Sequence, residues 1–162
     1  MILNATVPNV NGCFLSFNKL MKNILIIDDN PFDLNTMARV LQDAGYQPLT
    51  AETGIGAVDL IRSQSIDLVI TDMVMPEQDG LQTIMKIRDE FADLPIIAMS
   101  GAKTVAKHNE EDSVMAVSGT QILHRFPKDY HQQLEQLKLS CFIQKPCNAV
   151  NLIKILQEVF HS

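Results

Sequence analysis

The stretch ILIIDDNPFDL, Ile24 to Leu34, sets two carboxylates, Asp28 and Asp29, directly behind a run of apolar residues. Like charges that close raise each other's pKa and repel, unless a cation or hydrogen-bond donors lie between them. Other polar residues hold the same kind of place further along. Asp72 closes the apolar run IDLVITD, Ser100 stands near the end of LPIIAMSG, and Lys145 follows LSCFIQ. If these runs are neighbouring parallel strands, their carboxyl ends lie side by side, where open α/β sheets bind ligands. Three carboxylates and one lysine are then balanced by a divalent cation. A donor set of oxygens alone, without His or Cys, favours Mg²⁺, which keeps several waters and takes one or two carboxylates.

The elements that must position these residues follow from periodicity. NILIID (23–28) reads as a strand apolar on both faces. Asn30 then caps a helix with Pro31 at its first position, Met37, Ala38, Leu41 and Ala44 form the apolar stripe, and Gly45 ends it. QPLTA (47–51) is a second, weaker strand, and Thr53 to Gln64 a helix carrying Ala57, Leu60 and Ile61 inward. Residues 66–72 form a third strand, and Gly80 to Phe91 a helix with Ile84, Ile87 and Phe91 at helical spacing. Residues 94–101 are a fourth strand, with Pro95 only at its start, where strands tolerate proline. Residues 139–144 are a fifth, and Asn148 to Phe160 the last helix, its face made of Ala149, Leu152, Ile153, Leu156, Val159 and Phe160. Strands alternating with helices predict an α/β fold, a doubly wound five-stranded parallel sheet.

One connection breaks the rhythm. From Gly101 to Lys138 the chain runs well beyond what a crossover helix with short loops needs. Tyr130, Leu134 and Leu137 mark the covering helix, which leaves residues 102–128 as an excursion. It holds the acidic patch NEED (109–112), the apolar stretch VMAV (114–117) and an expected helix around TQILHRF (120–126). His108, His124 and His131, in or beside it, read as surface residues. Met21 resembles a natural start, so residues 1–21 read as an N-terminal extension, expected to be poorly ordered, and 22–162 as one domain.

Composition narrows the function classes. The 162 residues are 46% hydrophobic and 20% charged, ordinary for a globular domain. A net charge of −6, with no Lys/Arg cluster, argues against a nucleic-acid surface. No apolar run approaches the roughly 18 residues of a membrane span. Three cysteines, Cys13, Cys141 and Cys147, form no disulfide framework and suit a reducing compartment, so the expected location is cytoplasmic.

Taken together, the "DD" behind the first strand, TDMVMPEQDG around Asp72, MSG with Ser100 and FIQKP with Lys145 identify a family. Over about residues 22–160 the chain resembles the receiver domain of two-component response regulators, the family of the chemotaxis response regulator. The resemblance implies a flavodoxin-like sheet of order 2-1-3-4-5, and a phosphoryl group accepted on Asp72 from a sensor histidine kinase or phosphotransfer protein. It implies that Asp29, Asp72 and the backbone carbonyl of Val74 ligate Mg²⁺ directly, with Asp28 acting through water. Lys145 and Ser100 would bind phosphoryl oxygens. Ser100 and Phe142 would form the switch read by a downstream protein partner. Such a domain catalyses only its own phosphorylation and dephosphorylation. Val74 and Ala102 stand where polar side chains of the family orient water, and both are apolar, so phosphoryl loss is expected to be slow. Cys147 stands where a bulky apolar residue is usual, which implies looser packing there.

Rival readings meet specific obstacles. A haloacid-dehalogenase-type phosphatase needs an acid two residues after its nucleophile, where Val74 follows Asp72 and Asn30 follows Asp28. A flavodoxin-like nucleotide binder needs a Ser/Thr/Gly phosphate loop where DDNPFDL stands. A pseudo-receiver that only binds partners has no need of the intact five-residue set. The expected role is a stand-alone receiver, with a receiver piece of a hybrid kinase as the alternative. The kinase and the output partner are not named by the sequence.

Overall fold

The core strands are apolar at successive positions because both faces of the sheet are covered, and side-chain alternation decides which layer each residue enters. The computed structural model describes residues 21–101, 114–117, 120–123 and 136–161. In chain order the elements are β1 (Asn23–Ile27), α1 (Pro31–Asp43), β2 (Gln47–Ala51), α2 (Ala57–Gln64), β3 (Leu68–Asp72) and α3 (Gly80–Glu90). There follow β4 (Ile96–Gly101), β5 (Val114–Val117), β6 (Thr120–Leu123), β7 (Cys141–Lys145) and α4 (Ala149–His161). The parallel sheet has five strands in the order β2-β1-β3-β4-β7, the expected 2-1-3-4-5 arrangement with β7 as its fifth member.

Ile24, Ile26, Leu68, Ile70, Ile97, Met99 and Ile143 pack with Leu34, Met37 and Leu41 of α1 and Leu152 and Leu156 of α4. Their strand neighbours Leu25, Ile27, Val69, Ala98 and Phe142 enter the opposite layer, against Ala57 and Ile61 of α2 and Leu81, Ile84 and Ile87 of α3. Each such buried Leu or Ile is worth roughly 1.5–3 kcal/mol relative to exposure, so the two layers together hold the sheet rigid.

Two expectations are corrected. α2 begins at Ala57 and not at Thr53. Gly56 sits at φ +80°, and the Thr53 hydroxyl accepts from the Ile55 N–H at 3.2 Å, a local turn that competes with a helical start. Residues 120–123 are a strand and not part of a helix. Thr120–Leu123 pairs antiparallel with Val114–Val117, Val117 opposite Thr120. Residues 1–20, Ala102, Tyr130, Leu134 and His108, His124 and His131 lie outside the described residues. Leu137 is buried.

Two contacts fix the ends of connections that matter for the site. Arg88 of α3 donates to the carbonyls of Phe91 (3.1 Å) and Leu94 (2.6 Å) before β4, and to those of Leu137 (2.8 Å) and Lys138 (3.1 Å) before β7. Gly80 opens α3 hard against the end of β3. A β-carbon there would lie 2.1 Å from the Asp72 carbonyl oxygen and 2.6 Å from Met73 Cα, both backbone atoms. Asp79 caps the same helix through the Gln82 N–H at 2.8 Å. Gly80→Ala should therefore cost about 1–3 kcal/mol by overpacking. Chemical denaturation checks this, and an unchanged unfolding midpoint would show that α3 can recede freely from β3.

Candidate functional site

Register brings the site together. Ile27 of β1 pairs with Thr71 of β3, so Asp28 and Asp72, each one residue further, stand side by side at the carboxyl edge of the sheet. Both belong to the face that carries Ile26 and Ile70, the α1–α4 layer. β7 adds Lys145, two residues beyond Ile143 on that same face, with Gly101 of β4 as its partner in register. The Lys145–Pro146 peptide bond is cis.

The Lys145 ammonium donates to three carboxylates. It reaches Asp72 Oδ2 at 2.6 Å and Asp33 Oδ2 at 3.2 Å, and makes its shortest contact with Asp28 Oδ2. Backbone donors complete the set: the Asn30 N–H to Asp28 Oδ1 at 2.9 Å, and the Val74 N–H to Asp72 Oδ1 at 3.0 Å. Asp29 is exposed beside them. Carboxylate oxygens of Asp28, Asp29 and Asp72 lie within 4.8 Å of one another.

Burial dominates the electrostatics of Asp28. Its side chain is 1% exposed, and desolvation raises its pKa above the ordinary carboxylate value against the opposing hydrogen bonds from Lys145 and Asn30. For Lys145, burial alone would lower the pKa. The hydrogen bonds to Asp28 and Asp72, with their charges, outweigh that and raise it, so the lysine stays charged at neutral pH. A single ammonium among Asp28, Asp29, Asp33 and Asp72 leaves the site with excess negative charge and with clustered oxygen donors. That fits a hard divalent cation such as Mg²⁺, which Asp28, Asp29 and Asp72 would hold.

Of the residues singled out from the sequence, Asp28, Asp29, Asp72 and Lys145 thus converge. Val74 is exposed, next to Asp72. Ser100 is buried at the end of β4, two residues beyond Ala98 and so on the α2–α3 face, the face that also carries Phe142. These two share a layer opposite to that of Lys145. Asp33 was missed. It lies in the first turn of the helix directly behind the aspartate pair, an ordinary place for an acid that gave no distinguishing signal.

Comparison with known proteins adds to this geometry. Residues 24–117 match the response regulator receiver domain. The putative two-component response regulator ARR21 of Arabidopsis thaliana is 30% identical over 141 residues, 83% of this chain and 18% of that protein. The sensor histidine kinase RcsC of Salmonella typhimurium is 31% identical over 98 residues, 60% of this chain and 10% of that protein. The response regulator MprA of a Mycobacterium species is 33% identical over 84 residues, 52% of this chain and 36% of that protein. The chain thus spans between 10% and 36% of the length of these relatives. Among solved structures, the chemotaxis protein CheY4 of Vibrio cholerae superposes with a TM-score of 0.65 at 23% identity, covering 86% of this chain and 98% of that one. A response regulator receiver protein from Pseudomonas putida gives 0.66 at 23%, covering 85% and 97%. Likeness at this identity establishes the fold.

The raised Asp28 carboxyl has a consequence for stability. A carboxyl whose folded pKa exceeds its unfolded value favours folding below the unfolded pKa, about 3.9, and loses that contribution as pH rises through the folded value. Without divalent cation, Asp28→Asn should raise the melting temperature at pH 7 by a few degrees and change it little near pH 4. Thermal unfolding at the two pH values checks this, and a lower melting temperature at pH 7 would show that the Lys145 contact outweighs burial.

Proposed function

The chain belongs to the response regulator receiver domain family of two-component signalling, and on that premise we propose that it accepts a phosphoryl group on Asp72 in a Mg²⁺-dependent reaction. The observation that carries this reading is the Lys145 ammonium bridging Asp72 and Asp28 with Asp29 alongside. An acyl phosphate needs an ionised carboxylate in line with the donor phosphorus and positive charge on the equatorial oxygens. One Asp72 oxygen forms the new bond to phosphorus while the bond from phosphorus to the donor's leaving atom breaks. The electron pair departs with that atom. If it is an imidazole nitrogen, the ring leaves neutral when its other nitrogen carries a proton.

This chain's residues divide the work. The Val74 N–H orients one Asp72 oxygen, and Lys145, on the other, is within reach of the incoming equatorial oxygens. Mg²⁺, when bound by Asp28, Asp29 and Asp72 with the Val74 carbonyl, supplies further positive charge to the phosphoryl oxygens. The product adds charge and strong acceptor oxygens at Asp72, for which Ser100 is the proposed hydrogen-bond donor. Phe142, on the same face as Ser100, is the proposed follower. It has no hydroxyl, so its two positions would differ by packing alone.

The phosphodonor is a sensor histidine kinase or phosphotransfer protein, and the output a contact with a protein partner. A stand-alone receiver is the proposed form. The relatives that match include a sensor histidine kinase as well as response regulators, so the same module could also serve inside a hybrid kinase.

Incubation with a small-molecule phosphodonor and Mg²⁺ should label Asp72, and Asp72→Ala should abolish the label. Peptide mapping reads the position. A label on Asp28 or Asp29 in the wild type would sink the assignment.

A further inference from the structure

Lysine has three ammonium N–H donors, and here each has a carboxylate: Asp28, Asp72 and Asp33. A phosphoryl oxygen can engage Lys145 only by taking one of these places. The three are unequal. Asp28 is 1% exposed and keeps its charge and its closest contact; Asp72, 10% exposed, becomes the ester and keeps an oxygen beside the ammonium; Asp33 is 35% exposed at 3.2 Å. Asp33 can regain water when released, so its contact is the one that yields at least cost.

We propose that Asp33 is a positioning residue that occupies Lys145 before phosphorylation and is displaced from it by the phosphoryl group. The inference rests on the reading of Asp72 as phosphoacceptor and deepens it. Its electrostatic sense is fixed. Asp33 is an anion on the lysine that must receive an anion, so it opposes phosphoryl binding while favouring the cation. Because it lies in the first turn of α1, one residue from the exposed Phe32, its release also frees a charge at the start of that helix.

The test is a titration of beryllofluoride, a phosphoryl mimic, at saturating Mg²⁺ into the wild type, Asp33→Asn and Asp33→Glu, followed by fluorine NMR. A partly exposed ion pair is worth up to about 1 kcal/mol, so Asp33→Asn should bind the mimic roughly two- to fivefold tighter. Asp33→Glu should return toward the wild type. Mg²⁺ alone should bind Asp33→Asn no more tightly than wild type. A merely structural role in the first helical turn would lower the melting temperature without tightening the mimic. Equal or weaker mimic binding by Asp33→Asn would overturn the role of Asp33 alone. Absence of any adduct in the wild type would overturn the acceptor reading and the role of Asp33 with it.

Discussion

One lysine holds the functional edge of this protein together. The ammonium of Lys145, on the last strand, bonds carboxylates from β1, β3 and the first turn of α1. Without it, buried Asp28 and Asp72 would face each other with backbone N–H donors alone. Breaking a buried pair by removing one partner typically costs several kcal/mol, because the remaining charge is uncompensated. The lysine only partly relieves the cluster, since four neighbouring carboxylates exceed one cation. Stability and the proposed function therefore pull apart here: the residual negative charge that weakens the fold is what would favour a divalent ion.

The scaffold delivers those charges by register and burial. Strand pairing sets Asp28 level with Asp72, and side-chain parity puts both, with Lys145, on the α1–α4 face. The opposite face receives Ser100 and Phe142. The proposed charge chemistry and the proposed switch thus occupy two layers of one sheet. Gly80 lets α3 begin against the Asp72 carbonyl, holding the backbone of the proposed acceptor. Arg88 ties the chain ahead of β7 to that ahead of β4, so Lys145 projects from an anchored strand. It is a half-buried guanidinium that bonds four carbonyls, and burial lowers its pKa from the ordinary arginine value.

The sequence made most of this legible because parallel strands buried on both faces leave continuous apolar runs, and polar residues at their ends stand out. Asp28, Asp72 and Lys145 could be read for that reason. Asp33 could not. An acidic residue in a first helical turn is ordinary helix-dipole chemistry, and only its distance to Lys145 distinguishes it. Thr53 looked like a helix start because Ala57, Leu60 and Ile61 continue the helical period, yet the left-handed Gly56 sets the true boundary at Ala57. The antiparallel pair of β5 and β6 had a signal that the helix expected around TQILHRF passed over: the apolar VMAV and the Thr- and Ile-containing TQIL flank Ser-Gly.

In the proposed cation site the carboxylates are the ligands and Lys145 is a competitor for them. Calorimetric Mg²⁺ titration of the wild type, Asp29→Ala and Lys145→Ala tests it most directly. Binding should weaken in Asp29→Ala, which loses an oxygen ligand, and be equal or tighter in Lys145→Ala, which loses a rival cation. Equal loss of Mg²⁺ affinity in both variants would contradict it.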